Sequence, residues 1–229
     1  MLAVIKSIAT KITAFFTSII MMLSGGSIKP DPKPVEPVYT VSFVNYDGKT
    51  VINTQSVKES ESAVPPENPA KSGTSFLGWS GNYVNVVKNE TVKAVFSDEK
   101  NVFVVTSATG KKGDTVKLTV SLKGNVKTCG FDMNIVYDSN LKLVSYDDDL
   151  DLNIIVNSKA ISSSVLLNYS GANNTTKKKD IISLSFKIQD AGKTKLPVKI
   201  QMNSVKEISG NSVVNSNYVT VSGIVSVNN

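Results

Sequence analysis

The chain has 229 residues, 41% of them hydrophobic and 19% charged, a composition typical of folded globular domains rather than of disordered chains. It contains no histidine and no arginine, and Cys129 is its single cysteine, which excludes imidazole-dependent nucleophiles, zinc sites of histidine or several thiolates, arginine clamps for phosphate and an internal disulfide. The net charge of +6 does not predict binding to nucleic acid, because the lysines are scattered and no arginine or interleaved aromatic residues accompany the one run, Lys177–Lys179.

Residues 1–26 have the pattern of a segment that directs export. Lys6 and Lys11 supply a positive flank to the apolar stretch 12–23, and the small residues 24–26 provide a site for a signal peptidase. The stretch is shorter than the roughly 20 residues that span a bilayer. We therefore expect a secreted, extracellular protein with a cleaved signal peptide. The alternative is a retained N-terminal anchor that holds the protein at the cell surface.

Residues 27–38 are predicted to be a linker, because they hold four of the eight prolines of the chain. Proline cannot donate to a sheet ladder or continue a helix, so the segment is expected to be a stiff, extended spacer.

Residues 39–97 have the pattern of a small β module. Tyr39, Val41 and Phe43 recur with the period of two that is typical of strands, and Asp47–Gly48 is a hairpin-turn signal. The segment resembles the Listeria–Bacteroides repeat, a β-grasp-like module of bacterial surface proteins, in the motifs 39–48 (YTVSFVNYDG), 69–73 (PAKSG), 76–79 (FLGW) and 91–96 (TVKAVF). The resemblance implies a spacer or adhesion module. Trp79, the only tryptophan, is either part of the module's core or a platform for stacking a sugar.

Residues 101–229 are predicted to form a second, larger β module. Short strand-like runs are separated by turn signals, with no helical pattern between them, which predicts a β-sandwich of the jelly-roll or Greek-key kind. The runs are 102–106, 115–122, 131–137, 141–146, 164–169, 181–188, 196–202 and 218–227. The predicted fold class of the whole chain is therefore mainly β.

An ordered set of motifs in this second module resembles the cohesin domain of cellulosome-type scaffolding proteins. The motifs are 112–120 (KGDTVKLTV), 130–138 (GFDMNIVYD), 139–144 (SNLKLV), 165–171 (VLLNYSG), 181–188 (IISLSFKI) and 219–227 (VTVSGIVSV). The resemblance implies a receptor domain that binds dockerin modules on one flat sheet face, formed largely by its third, fifth, sixth and eighth strands.

Strand alternation and the resemblance together predict the residues of that face. In the strand 131–137 the odd positions are expected to point into the core and the even positions outward. The resemblance implies that Asp132 accepts hydrogen bonds from a dockerin helix, that Val165 is an apolar contact and that Gly171 ends its strand. The predicted partner-binding residues are Asp132, Asn134, Val136, Val165, Asn168 and Gly171.

An acidic run offers a competing site. Asp147, Asp149 and Asp151 have the spacing of the first ligands of an EF-hand loop, but Leu152 and Ser158 stand where that loop needs glycine and glutamate. The EF-hand interpretation fails, while a looser surface calcium site and a solvated acidic loop both remain open. We expect no cofactor on this chain, because the resemblance assigns the calcium to the partner dockerin.

The expected function is binding rather than catalysis. Carboxylate side chains, which carry out glycoside hydrolysis, are plentiful in the chain. None of them, however, lies in the aromatic-rich pattern expected of a sugar-binding cleft, and only 7% of the residues are aromatic. The resemblance implies an extracellular scaffoldin or adaptor that captures a dockerin-bearing protein in a cellulosome-type polysaccharide-degrading complex. The alternative is a carbohydrate-binding or adhesive cell-surface protein that uses the same sandwich.

Overall fold

The computed structural model describes residues 35–148, 153–157, 164–189 and 192–228. These residues form sixteen β-strands and no helix, which confirms the predicted mainly β fold class. Accordingly, no helix long and apolar enough to cross a membrane occurs among them. The predicted signal peptide and residues 27–34 of the predicted linker lie outside these ranges.

The first four strands form one small sheet. They are β1 (Val38–Val44), β2 (Val51–Lys58), β3 (Phe76–Ser80) and β4 (Glu90–Phe96), in the order β2-β1-β4-β3. The β1–β4 pair is parallel and the other pairs are antiparallel. At the turn between β1 and β2, Asp47 Oδ1 accepts the backbone N–H groups of Lys49 and Thr50, each at 2.8 Å. This interaction fixes the turn that the sequence predicts.

Aromatic side chains fill the core of this small module. Trp79 is 5% exposed, and its ring meets those of Phe43 and Phe76 edge to face at centroid distances of 5.1 and 5.4 Å. Such edge-to-face pairs stabilise a core beyond the area that they bury. Trp79 is therefore a core residue and presents no surface on which a sugar could stack.

The remaining strands form a sandwich of two sheets. In chain order they are β5 (Val102–Val105), β6 (Ala108–Lys111), β7 (Thr115–Lys123), β8 (Thr128–Tyr137), β9 (Leu141–Asp148), β10 (Asn153–Asn157), β11 (Ser164–Thr175), β12 (Lys179–Ile188), β13 (Lys195–Ser209), β14 (Ser212–Asn215), β15 (Val219–Val221) and β16 (Gly223–Asn228). One sheet has the order β15-β5-β7-β12-β9, and the other has the order β10-β11-β8-β13-β16-β6 with β14 paired to β13.

The chain passes from one sheet to the other twice, once near the start and once near the end of the sandwich sequence. β5 and β6 lie in different sheets, as do β15 and β16, and the first and last strands pair in parallel in each sheet. Alternate residues of both sheets meet in one continuous apolar core, which includes Phe103, Leu118, Met133 and Phe186, each with no exposed surface. This core holds the two sheets face to face.

The small module and the sandwich pack together within one compact unit that begins at Pro37. A separate apolar cluster contains residues of both parts: Leu77, Val95, Val102, Val104, Val219 and Val221. The approach is close, because a Cβ atom on Gly78 would lie 2.5 Å from Cγ1 of Val221. Gly78 also has φ +138°, a conformation that side chains rarely adopt, so glycine is required at this junction.

Candidate protein-binding face

Strand β8 presents its residues to two sides, as its alternation predicts. Phe131, Met133 and Ile135 are at most 2% exposed and lie in the core, which confirms their predicted orientation. Asp132 and Asn134, between them, are only partly buried and point away from the core. Val136 likewise lies on the outward side of the strand.

Strand β11 brings Asn168 to this outward side. Antiparallel pairing places Asn168 opposite Asp132, Leu166 opposite Asn134 and Ser164 opposite Val136. Directly paired residues on one side of a sheet have Cβ atoms about 5 Å apart. The structure therefore brings Asp132, Asn134, Val136 and Asn168 of the predicted site together on one face.

The prediction that Val165 contributes to this face is wrong. Val165 has no exposed surface, lies opposite Ile135 and packs in the core of the sandwich. The apolar residue on the outward side is the next one, Leu166, which is partly exposed. The physical reason is that 165–167 are all apolar, so the sequence gives no period-two signal that separates the two sides.

Gly171 does not end its strand, contrary to the expectation from the resemblance. It lies inside β11, which continues to Thr175. The regular register with β8, however, stops after Ser170 and resumes only at Thr175. Gly171 therefore lies in an irregular part of β11 at one end of the face.

Strand β13 completes the face with residues that the sequence reasoning missed. Lys199 lies opposite Val136, Gln201 opposite Asn134 and Ser204 opposite Asp132, with a register shift between Met202 and Ser204. Leu196, Val198 and Ile200 are buried on the other side of this strand. Alternation of these three apolar residues is the signal from which Lys199 and Gln201 could have been identified.

The carboxylate of Asp132 is held in position by a hydrogen bond from β13. At the register shift, Asn203 Nδ2 donates a hydrogen bond to Asp132 Oδ1 at 3.2 Å. The carboxylate keeps further acceptor capacity, since an ionised carboxylate offers about four acceptor positions. Asp132 can therefore accept hydrogen bonds from a bound partner.

A groove of about 520 Å³ lies at the Asp132 end of the face. Its lining includes Asp132, Asn168, Gly130 and, from the β13–β14 hairpin, Ile208 and Val213. A Cβ atom at position 130 would lie 2.8 Å from the backbone oxygen of Tyr169, so only glycine fits there without movement. The face is thus open along β8 and β11 but concave at this end, with an apolar wall.

Among the described residues, no group of three or more histidine, cysteine, aspartate or glutamate side chains could hold a metal ion. Asp149 and Asp151 of the acidic run lie outside the described residues. Cys129 is 5% exposed, so its side chain is a small buried group rather than an accessible thiol.

Two protein-family models match the chain. The model of the Cohesin domain matches residues 101–227, more than half of the chain, and the model of the Listeria-Bacteroides repeat domain matches residues 39–102. Both resemblances inferred from the sequence are thereby confirmed. No curated protein sequence matches the chain.

Several solved structures are similar to the chain. The seventh ScaB type I cohesin from Pseudobacteroides cellulosolvens has 13% identity, with 57% of this chain and 94% of that chain covered and a TM-score of 0.48. A non-cellulosomal cohesin from the hyperthermophilic archaeon Archaeoglobus fulgidus has 14% identity, with 57% and 93% covered and a TM-score of 0.47. The Coh-OlpA–Doc918 type I cohesin–dockerin complex from Clostridium thermocellum has 16% identity, with 56% and 99% covered and a TM-score of 0.47.

Proposed function

The chain belongs to the cohesin family, and from this premise we propose that it is a non-catalytic scaffold protein that binds dockerin-bearing proteins. The binding surface is the outward face of β10, β11, β8 and β13. One observation carries this assignment: the strand register places Asp132 directly opposite Asn168 on a side of the sheet that the core does not cover.

The chemistry of the face suits a protein partner. Asp132, Asn134, Asn168 and Gln201 offer hydrogen-bonding groups, and Leu166 provides apolar area beside them. An interface typically combines such apolar area with polar groups that fix orientation. A helix laid across the strands would contact both kinds of group.

The setting of this interaction is part of the proposal. We propose that the chain is exported, that its partner is a subunit of a cellulosome-type polysaccharide-degrading complex, and that the calcium of the interaction is bound by the dockerin. Calcium removal is then expected to abolish binding by unfolding the partner's sites rather than by changing this chain.

The test is binding of the full chain to a panel of recombinant, calcium-loaded dockerin modules, measured by isothermal titration calorimetry. We expect at least one dockerin to bind and a chelator to abolish the complex. The double substitution Asp132→Ala with Asn168→Ala removes two hydrogen-bonding groups, so affinity is expected to fall by about 10- to 100-fold. Asp147→Ala, an exposed position in the opposite sheet, is the matched control and should leave affinity unchanged.

Two results would contradict the proposal at different levels. Unchanged affinity of the double variant would show that dockerins bind another surface. Absence of binding to every dockerin, together with binding to insoluble polysaccharide in the absence of any partner, would replace the scaffold function with the carbohydrate-binding alternative.

A further inference from the structure

The small module touches the edge of the candidate face. Lys199 lies on the outward side of β13, opposite Val136, and its Nζ donates a hydrogen bond to Asn82 Oδ1 of the module at 2.6 Å. Burial at this contact lowers the pKa of Lys199, and the nearby carboxylate of Glu90 partly opposes that effect. Lys199 is therefore held against the module rather than extended into solvent.

The module also covers the part of the same sheet next to the face. A cavity of about 270 Å³ lies between the two parts, lined by Ala63 and Tyr83 of the module and by Lys195, Ile224 and Ser226 of the sandwich. In β16, Val225 is fully buried, so its partly exposed neighbours Ile224 and Ser226 point outward. The module thus overlies β16 and the beginning of β13, and it leaves β8 and β11 uncovered.

The open part of the face is limited in extent. Four strands at about 4.8 Å spacing and the residues 130–137 of β8, which pair with β13, at about 3.3 Å each give a flat area of about 500 Å². A standard protein–protein interface takes about 800 Å² of accessible surface from each partner, a quantity that includes the relief of the side chains. A partner that buries such an area on this side of the sheet therefore covers the whole face and reaches its edges.

The nearest structure beyond the strands is the module. The row of Asn134 and Gln201 lies two residues, about 7 Å, from the row of Val136 and Lys199. A helix has a diameter of about 10–12 Å with its side chains. A helix whose axis runs between the two rows, about 3.5 Å from each, would cover both of them. It would then approach the segment between β3 and β4 that carries Asn82, here called the Asn82 turn.

We infer that the repeat module is part of the partner-binding surface, where the turn that carries Asn82 forms a wall that contacts the bound dockerin. This inference rests on the proposed function and deepens it. The dockerin then fits between two walls, the Asn82 turn at one end and the β13–β14 hairpin with Ile208 and Val213 at the other. The repeat module and the sandwich would then both determine which dockerins bind, because each supplies one of the two walls.

The inference is tested by single-site labelling of the full chain with an environment-sensitive fluorophore. Cys129 is buried, so Asn82→Cys and Lys49→Cys each provide one accessible thiol. Lys49 is the matched control, because it lies in the exposed β1–β2 turn at the opposite end of the same small sheet. The probe is the calcium-loaded dockerin that binds the unmodified chain most tightly.

We expect the emission at position 82 to shift when the dockerin binds and the emission at position 49 to stay constant. The label at position 82 should also weaken binding by about tenfold or more, because it occupies space at the wall. Equal thermal stability of the two labelled proteins without dockerin would show that the label does not act by unfolding the module.

The result that overturns the inference is normal dockerin affinity with no change in emission at position 82. If Asp132→Ala with Asn168→Ala still loses affinity in that case, the face is correctly assigned and only the role of the module is wrong. If no dockerin binds the unmodified chain, the proposed function itself fails, so the two failures are distinguishable.

Discussion

Val165 and Leu166 are neighbours in β11 whose side chains lie on opposite sides of the sheet. Val165 is fully buried and Leu166 is partly exposed beside Asn134. A carboxylate at position 165 would be buried without a partner, so Val165→Asp is expected to lower the free energy of unfolding by about 3–5 kcal/mol. Leu166→Asp should change it by about 0.5 kcal/mol or less and should weaken dockerin binding instead.

Urea unfolding and calorimetric titration of the two variants measure these outcomes. If Leu166→Asp is as destabilising as Val165→Asp, both side chains are in the core and β11 has no outward apolar residue. If Leu166→Asp is stable and binds normally, Leu166 lies outside the contact area.

Glu207 in β13 is a nearly buried carboxylate that joins three segments of the chain, with 8% of its surface exposed. Lys100 Nζ and Ser216 Oγ both donate to its Oε2, and Lys127 Nζ lies 3.5 Å from Oε1. These hydrogen bonds lower the pKa of Glu207 from 4.5 to about 2. Since the folded pKa lies below the unfolded value, the charged form stabilises the fold above pH 4.5, and that contribution is lost as the pH falls toward 2.

Glu207→Gln keeps the shape of the side chain and removes its charge. The variant is expected to be less stable than the unmodified chain at neutral pH, and the difference should shrink between pH 4.5 and about 2. Urea unfolding at a series of pH values measures this difference. A difference that stays constant across that range would show that the charge of Glu207 does not contribute to stability.

The strands themselves differ in how well the sequence predicted them. β8 was predicted from residue 131 onward, because Phe131, Met133 and Ile135 alternate with polar residues, whereas its first three residues, 128–130, lack this alternation. β6, β10 and β14 were not predicted, because these short segments lack a period-two alternation and none is apolar throughout, as the equally short β5 is. Each is paired with a longer neighbour, and that pairing is a long-range interaction that local sequence does not encode.

The candidate site was predicted along β8 and only in part along β11. The outward orientation of Asp132, Asn134 and Val136 follows from alternation alone, whereas Val165 was assigned to the wrong side because its segment is continuously apolar. The contribution of β13, including Lys199, depends on which strand lies beside β8. That neighbour is set by the order of strands in the sheet, which a single sequence does not show.

At the scale of the whole molecule, two modules of different families share one apolar cluster. Leu77 and Val95 of the first module pack with Val104 and Val221 of the second. A module that buries part of its surface against a neighbour gains stability from that neighbour. We therefore expect the two modules to unfold together in the unmodified chain.

Trp79 makes this cooperativity measurable, since the only tryptophan lies in the core of the small module. Its fluorescence follows that module, whereas far-ultraviolet circular dichroism follows mainly the strands of the sandwich. In urea the two signals are expected to change together in the unmodified chain. Gly78→Ala places a Cβ atom 2.5 Å from Val221 in a strained conformation, which is expected to cost about 1–3 kcal/mol at the junction.

In Gly78→Ala, we expect the fluorescence transition to move to lower urea than the circular dichroism transition, because the small module no longer packs closely on the sandwich. Gly73→Ala is the control, since Gly73 also has a positive φ, +72°, but a Cβ atom there would have no neighbour within 4 Å. The control should lower stability slightly and keep the two transitions together. Separate transitions in the unmodified chain, or coincident transitions in Gly78→Ala, would show that the contact at Gly78 does not couple the modules.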